Sequence, residues 1–434
     1  MAKAQGISLL RDAEIEQFLR DYSDPVLVAA GLDPAAVDIY LVGDPSLNAF
    51  VANGLKMFYH TGLITEADTP NQILGVIAHE TGHLAGGHQQ RGAAARAQAS
   101  RPMMLSLVLG AAAIAAGSPE AGMSILGLGQ TVSVAEALAY NRGQEAAADQ
   151  AAITYLETIG ASGEGLVEFF EKLSNRQLLR SRRPDPYFQT HPLPLQRMNN
   201  LRDRVANQKN VTHRDTEEDI FRLRMIQAKI HGFMQDSYTT LRQYPLSDQS
   251  PPARYARAVA YYRGSELEKA LREVDRLIEE DQDNPYFQEL KGQMLFEHGK
   301  VRESVGPHRK STELAPQYAL LKINLARALI ALESQAELEE AISILRLALQ
   351  IEPGNGFAWS QMARAYGYSG QDSLASLAQA QAFFAWGNLP EAHRFATRAK
   401  DELEIGTPEH LQALDIITAS QSAASDARRR RGGR

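Results

Sequence analysis

Hydrophobic and polar positions alternate with different periods along this chain, and the change of period marks out its elements. Ala13 to Asp21 (AEIEQFLRD) has the spacing of a polar-faced helix, with Pro25 ending it and a second short helix beyond. Val37 to Val42 (VDIYLV) reads as a strand followed by a turn at Gly43-Asp44-Pro45. Asn48 to Ala52 and Leu55 to His60 read as two more strands around Asn53-Gly54, a strong hairpin signal. Thr69 and Pro70 open a helix that reaches about Gly86, with Thr at the N-cap and Pro at the first helical position. A Gly/Ala-rich stretch runs on to Gly129. Helices are then expected from Val132 to about Ile159, from Gly163 to about Arg180, and from about Leu195 after a Pro-rich loop at Pro184 to Pro194.

Pro245 to Pro252 is rich in turn residues and divides two textures. Beyond it the pattern is almost wholly helical and repetitive. Ala341, Ala348, Pro353, Trp359 and Tyr366 recur at offsets that echo Ala258, Tyr261, Ala270, Gly292 and Pro316. Those offsets fit the helix–turn–helix tetratricopeptide pattern, with small residues at helix crossings, in roughly four repeats. The phase slips by about three residues between Ala326 and Ala341 and restarts half a repeat out at Ala392. An insertion or an extra helix would produce such slips. Leu267-Glu-Lys-Ala and Leu389-Pro-Glu-Ala sit at equivalent places. The expected domains are 1–245, a repeat domain 252–404, and 405–434 as a last helix with a disordered basic tail at Arg428 to Arg431 and Arg434.

Composition narrows the chemistry. The chain has 434 residues, 45 Lys+Arg against 52 Asp+Glu for a net charge of −7, and no cysteine. The mild acidity argues against nucleic acid as a partner. The missing thiols exclude disulfides, Cys-ligated zinc, iron–sulfur clusters and a thiol nucleophile. Any metal must be held by carboxylates and the 11 histidines. No window reaches the roughly 18 apolar residues of a membrane-spanning helix. Met103 to Ala116 comes nearest and is a candidate for peripheral membrane contact. The N-terminus lacks the apolar stretch of an export signal, as in a cytoplasmic protein or a processed chain.

His79-Glu80-Thr-Gly-His83 is the most informative segment. On a helix, His79 and His83 face one point and can grip one Zn²⁺, while Glu80 can hold a water from the side. Ile73, Val76 and Ile77 before them suggest a buried helix. A third ligand is still required. A histidine ten positions after the first would serve, but that position is Gln89, and His88 falls one residue early. The alternative is a Glu from another helix followed four residues later by an Asp, which Glu145 and Asp149 supply. Glu145 is then the third ligand, with one zinc per chain. Asp149 would accept the free N–H of a ligand histidine and fix its tautomer.

The first half resembles the HtpX and CAAX-prenyl-endopeptidase group of zinc metallopeptidases, and the whole layout is similar to its BepA-type members. The matching residues are Asn48-Ala49-Phe50 with Gly54, Ala78 to His83, Arg142-x-x-Glu145-x-x-Ala148-Asp149, and Thr190-His191-Pro192 with Arg197. Asn141 stands where a Ser often precedes the Arg. The resemblance implies an α+β, mostly α fold: a gluzincin-type metallopeptidase domain with a small β-sheet, then an α-solenoid of tetratricopeptide repeats. It also implies a periplasmic setting, unfolded or misassembled protein substrates, and partnership with the outer-membrane barrel-assembly machinery.

Within that frame Glu80 is the general base, Arg142 and Arg197 support the ligands, and Asn48, Ala49 and Phe50 lie where an extended substrate would add to an edge strand. His191 either stabilises the tetrahedral oxyanion or closes the fourth zinc position as a plug. His88 is expected to be structural, and His60 has no assigned role. Gly86 to Gly129 could serve as a lid. The competing function is a repeat-based chaperone or adaptor for outer-membrane protein assembly, with a latent zinc site.

Overall fold

A computed structural model of the chain describes residues 8–52, 54–88, 142–179 and 191–432, together with Met104, Leu107 and Tyr187. The stretch 108–141, and with it most of the expected lid and the start of the helix expected from Val132, lies outside the described residues. The chain divides into two compact units, Met1–Met234 and Gln235–Arg434.

The first unit begins with β1 (Leu9–Leu10) and α1 (Ala13–Ala29). β2 (Asp38–Val42), β3 (Ala49–Ala52) and β4 (Lys56–His60) follow. The sheet order is β1-β2-β4-β3, with β2 parallel to β4 and the other two pairs antiparallel. β3 and β4 pair from Ala49 opposite Tyr59 to Ala52 opposite Lys56, as the Asn-Gly turn predicts, and Gly54 takes φ +85° there. On the outer side of β3 no strand pairs among the described residues.

Then come α2 (Thr61–Glu66), α3 (Pro70–Ala85), α4 (142–158), α5 (Glu164–Leu179), α6 (Leu195–Ala206) and α7 (Glu217–Met234). α3 is the axis of the unit. It packs on α1, α5, α7 and β3, and its side chains from Ile73 to His83 are buried nearly all the way round. Phe18, Leu19, Met57, Tyr59, Ile77 and Phe169 close the core around it.

Two local expectations differ from the fold, and α2 matches no element expected from the sequence. α1 runs straight through Pro25, because one lost backbone bond is outweighed by Phe18 and Leu19 before it and Val26 and Leu27 after it, all fully buried. Thr69 makes no side-chain cap at the start of α3. Asp215, far along the chain, accepts from Asn71 N at 3.0 Å instead. α2 has a sequence with little helix propensity. The Gln227 amide on α7 holds its end, donating to the carbonyls of Ile64 and Ala67.

The second unit is helical hairpins throughout. α8 (Ser237–Gln243) precedes α9 (Pro251–Arg263), α10 (Leu267–Glu280), α11 (Pro285–Glu297), α12 (Val301–Leu314), α13 (Ala319–Ile330) and α14 (Gln335–Ile351). α15 (Gly356–Tyr368), α16 (Asp372–Ala385), α17 (Leu389–Glu402) and α18 (Pro408–Gly432) complete it. The first helices of the hairpins start at Pro251, Pro285 and Ala319, 34 residues apart each time. The next starts 37 later, because α14 has 17 residues where α10 and α12 have 14. This is the slip of three seen in the sequence. The half-repeat restart has an equally simple cause: α16 packs as second helix on α15 and as first helix on α17.

Small residues sit at the crossings: Ala270, Ala326, Ala341, Ala348, Ala392 and Ala399 are fully buried. The turn-rich segment before α9 is fastened by the buried Arg257. That guanidinium donates to the carbonyls of Pro245 and Asp248 and grips Glu273 with two further bonds.

α3 and α5 approach each other closely at Gly75. A Cβ placed on Gly75 would stand 2.8 Å from the backbone nitrogen and Cα of Leu166. Gly75→Ala is therefore expected to lower stability by about 1–3 kcal/mol. Urea unfolding checks this, and an unchanged midpoint would mean that the two helices can part freely.

Candidate metal centre

α3 carries His79 and His83 one turn apart, and α4 carries Glu145 and Asp149 one turn apart. The two helices meet closely enough to bring the four together. A Cβ on Gly82 would lie 2.8 Å from the carbonyl oxygen of Ala148 and 3.0 Å from its Cα. Any larger pair of residues at 82 and 148 would hold Glu145 away from the histidines.

His79 Nε2 and His83 Nε2 are 3.1 Å apart. Glu145 reaches both, at 3.4 Å from His79 Nε2 and 3.3 Å from His83 Nε2. The edge of a tetrahedron with zinc–nitrogen and zinc–oxygen bonds is about 3.3 Å. The Glu145 carboxylate spans the two rings, with Oε2 toward His79 and Oε1 toward His83, at separations close to that edge. His191 comes from the loop before α6 and stands at a fourth corner, with Nδ1 3.4 Å from His79 Nε2 and 3.1 Å from a Glu145 oxygen. These four residues form a buried cluster able to hold a metal ion.

A second layer of contacts orients the first. His79 Nδ1 lies 3.0 Å from Asp149 Oδ1. Arg197 on α6 clamps Asp149 with two parallel bonds of 2.6 and 2.8 Å. It also reaches Glu145 at 2.9 Å and donates to the Pro192 carbonyl, next to His191. Its guanidinium lies over the Phe170 ring, whose edge meets His79. His83 Nδ1 is 2.9 Å from His88 Nδ1, so the histidine one place too early to be a ligand supports one. Tyr187 stacks on His191 with ring centroids 4.7 Å apart, and its carbonyl accepts from the His191 backbone N–H.

The protonation states follow from burial and these partners. Burial pushes His83 down to about 3, so its ring is neutral. Burial opposes charge on His79 as well, but Asp149 and Glu145 override it and raise that ring to about 9. Burial also disfavours the Asp149 carboxylate, yet the Arg197 clamp and His79 hold it at about 2. Glu145 faces the same desolvation, and the three histidines hold it well below the usual carboxylate range. Glu80 differs. It is 1% exposed, burial raises its pKa, and neither oxygen has a hydrogen-bond partner among the described residues. His191 Nε2 stands 3.5 Å from Glu80 Oε1.

Of the residues singled out in the sequence, His79, Glu80, His83, Glu145, Asp149, His191 and Arg197 thus converge. Arg142 is exposed at the start of α4 and lines a cavity with Glu145, Asp149, Gln196 and Arg204. Asn48, Ala49 and Phe50 lie outside the cluster, at the start of β3, and His60 pairs with Ser46 at the end of β4. Tyr187 and Phe170 carry no local sequence signal and enter only through packing.

Gly82→Ala should push α4 off α3 and lower both metal affinity and thermal stability. Asp149→Asn removes the charge that His79 faces and should weaken zinc binding roughly 10–100-fold. Competition against a chromogenic chelator measures both, and affinities equal to wild type would show that this support is idle.

Comparison with known proteins agrees with this geometry. Residues 10–205 match peptidase family M48. The beta-barrel assembly-enhancing proteases of Yersinia pestis and Escherichia coli K12 are each 24% identical to the chain over 407 residues. Those matches cover 92% of this chain and 82% and 81% of the two relatives. Metalloprotease LoiP of E. coli K12 is 32% identical over 177 residues, 40% of this chain and 64% of its own length. Residues 10–205 thus resemble the peptidases of family M48, and in this chain they are followed by a tandem of tetratricopeptide-like helical hairpins.

Proposed function

We propose that the chain is a zinc-dependent endopeptidase acting on unfolded or misassembled proteins. The observation that carries the proposal is the buried convergence of His79, His83 and Glu145, with the Glu80 carboxylate beside them and without a hydrogen-bond partner among the described residues. Two imidazoles and a carboxylate suit zinc, and the chain has no thiol to offer a softer ion. Bound zinc would lower the pKa of a water and polarise the scissile carbonyl. His79, His83 and Glu145 would hold the ion, while Asp149 and Arg197 fix the orientation of His79 and Glu145.

Glu80 takes a proton from a water on its side of the cluster and returns it to the leaving amine. Its buried setting raises its pKa toward the range where both transfers are easy. An extended substrate segment pairs with β3 at Asn48, Ala49 and Phe50, through backbone bonds that read little sequence. The repeat unit holds substrate or partner. His191 stands at the fourth corner, which supports the plug over the oxyanion role.

Kinship with beta-barrel assembly-enhancing proteases extends the proposal to outer-membrane protein quality control in the periplasm, beside the barrel-assembly machinery. No helix among the described residues is long and apolar enough to cross a membrane. The stretch Met103 to Ala116 lies mostly outside the described residues. Its Met104 and Leu107 are exposed, and peripheral membrane contact there belongs to the same proposal. The position of His191 also gives a second reading some support. With a permanent fourth ligand the site would be closed, and the chain would act as an adaptor through its repeats.

Glu80→Gln should keep its zinc and lose roughly 10²–10⁴-fold in hydrolysis of an unfolded protein such as casein. Chelation should abolish the same activity and added zinc restore it. A zinc-loaded wild type that cleaves no unfolded protein would sink the enzyme reading. His191→Ala separates the two roles: a plug predicts a gain in casein turnover, and an oxyanion stabiliser predicts a loss.

A further inference from the structure

Across three first helices of the repeat unit runs a strip of aromatic rings and arginines. Phe296 on α11 and Phe357 on α15 flank Arg327 on α13, whose guanidinium lies 5.2 and 5.6 Å from the two ring centroids. Seven residues after Phe357, on the same helix face, Arg364 lies 5.5 Å from the ring of Tyr368. Phe357 and Tyr368 are 43% and 47% exposed.

Among the described residues neither Arg327 nor Arg364 forms an ion pair. Other arginines of the unit do: Arg257 with Glu273, Arg309 with Glu340, Arg394 with Glu391 and Arg398 with Glu402. The acid near Arg327 is kept off it by an amide. Glu289 accepts from Asn324 Nδ2, and Asn324 Oδ1 accepts from Arg327 Nη1 at 3.4 Å. Ring stacking leaves the planar faces covered and the N–H edges available. It also orders the side chain before any ligand arrives, which removes part of the entropic cost of binding.

We propose that this strip docks an acidic, extended segment of a partner protein, with Arg327 and Arg364 each receiving a carboxylate. Arg327 lies beside Phe357 and Arg364 follows two turns further along α15, so the two guanidinium groups stand roughly 10–14 Å apart. An extended chain rises about 3.3 Å per residue, so carboxylates about three to four positions apart would meet both arginines. The phenyl rings then cover the intervening stem. The inference refines the reading of the repeat unit as a partner-holding surface and is independent of the chemistry at Glu80.

The test uses the full chain carrying Glu80→Gln, so that no peptide is cut. A short amidated Gly/Ser peptide with Glu at every third position, labelled with fluorescein, is titrated by anisotropy. It should bind, and its Gln counterpart should bind at least about tenfold more weakly. Arg327→Gln and Arg364→Gln should each cost roughly three- to tenfold. Arg327→Lys, which keeps the charge but loses the stacked plane, should fall between. Arg302→Gln, an exposed position on α12, removes the same charge elsewhere and should change nothing. Circular dichroism melts confirm that each variant is folded.

Equal binding of the Glu and Gln peptides would overturn the proposal, as would an equal loss in Arg302→Gln or displacement by an oligothymidine as effective as unlabelled peptide. A wild type that cleaves nothing leaves the inference standing. A chain that cleaves casein but ignores the acidic peptide refutes it alone.

Discussion

Two helices can bring four polar side chains to one point inside a core only where their backbones nearly touch. Gly82 against Ala148 is that contact, and the candidate metal centre depends on it. The separation it allows sets the reach of Glu145 to His79 and His83. The same logic recurs at Gly75 against Leu166, which fixes α3 on α5 and so places Phe170 beneath Arg197 and beside His79. α3 is buried along most of its length, so it cannot shift to relieve a larger side chain at either glycine.

Charge is the second constraint. Glu80, Glu145 and Asp149 are all nearly inaccessible, and among the described residues Arg197 is the fixed cation set against Glu145 and Asp149. Unbalanced charge in such a setting costs several kcal/mol per ion. A divalent cation would offset it. The same carboxylates, Asp149 and Glu145, raise the His79 ring to about 9 against the effect of burial. Arg197 joins the two layers. One guanidinium holds Asp149, Glu145 and the Pro192 carbonyl, so Glu145 and the loop that presents His191 are placed by the same group.

Much of the site was legible in the sequence because its geometry is local. Residues four apart on a helix share a face, so His79 with His83, and Glu145 with Asp149, could be paired before any fold was known. The repeats were legible for the same reason, down to the slip of three that became a longer α14. What escaped depends on distant partners. α1 survives Pro25 because of what it packs on, and α3 is capped by Asp215 rather than Thr69. His88 finds its use only when the chain turns back after α3, and Tyr187 finds His191 only through the loop between α5 and α6. No periodicity records such contacts. The half-repeat restart at Ala392 was visible, but its cause, one helix serving two hairpins, needed the packing of α16 on both α15 and α17.

X-ray absorption at the zinc edge of the resting, metal-loaded chain tests the account most directly, because scattering from imidazole rings counts the histidines on the ion. The arrangement of His79, His83, His191 and Glu145 predicts three imidazoles and one carboxylate oxygen, at about 2.0–2.2 Å. A count of two imidazoles would show that His191 is no ligand at rest. A chain that retains no zinc would contradict the metal centre itself.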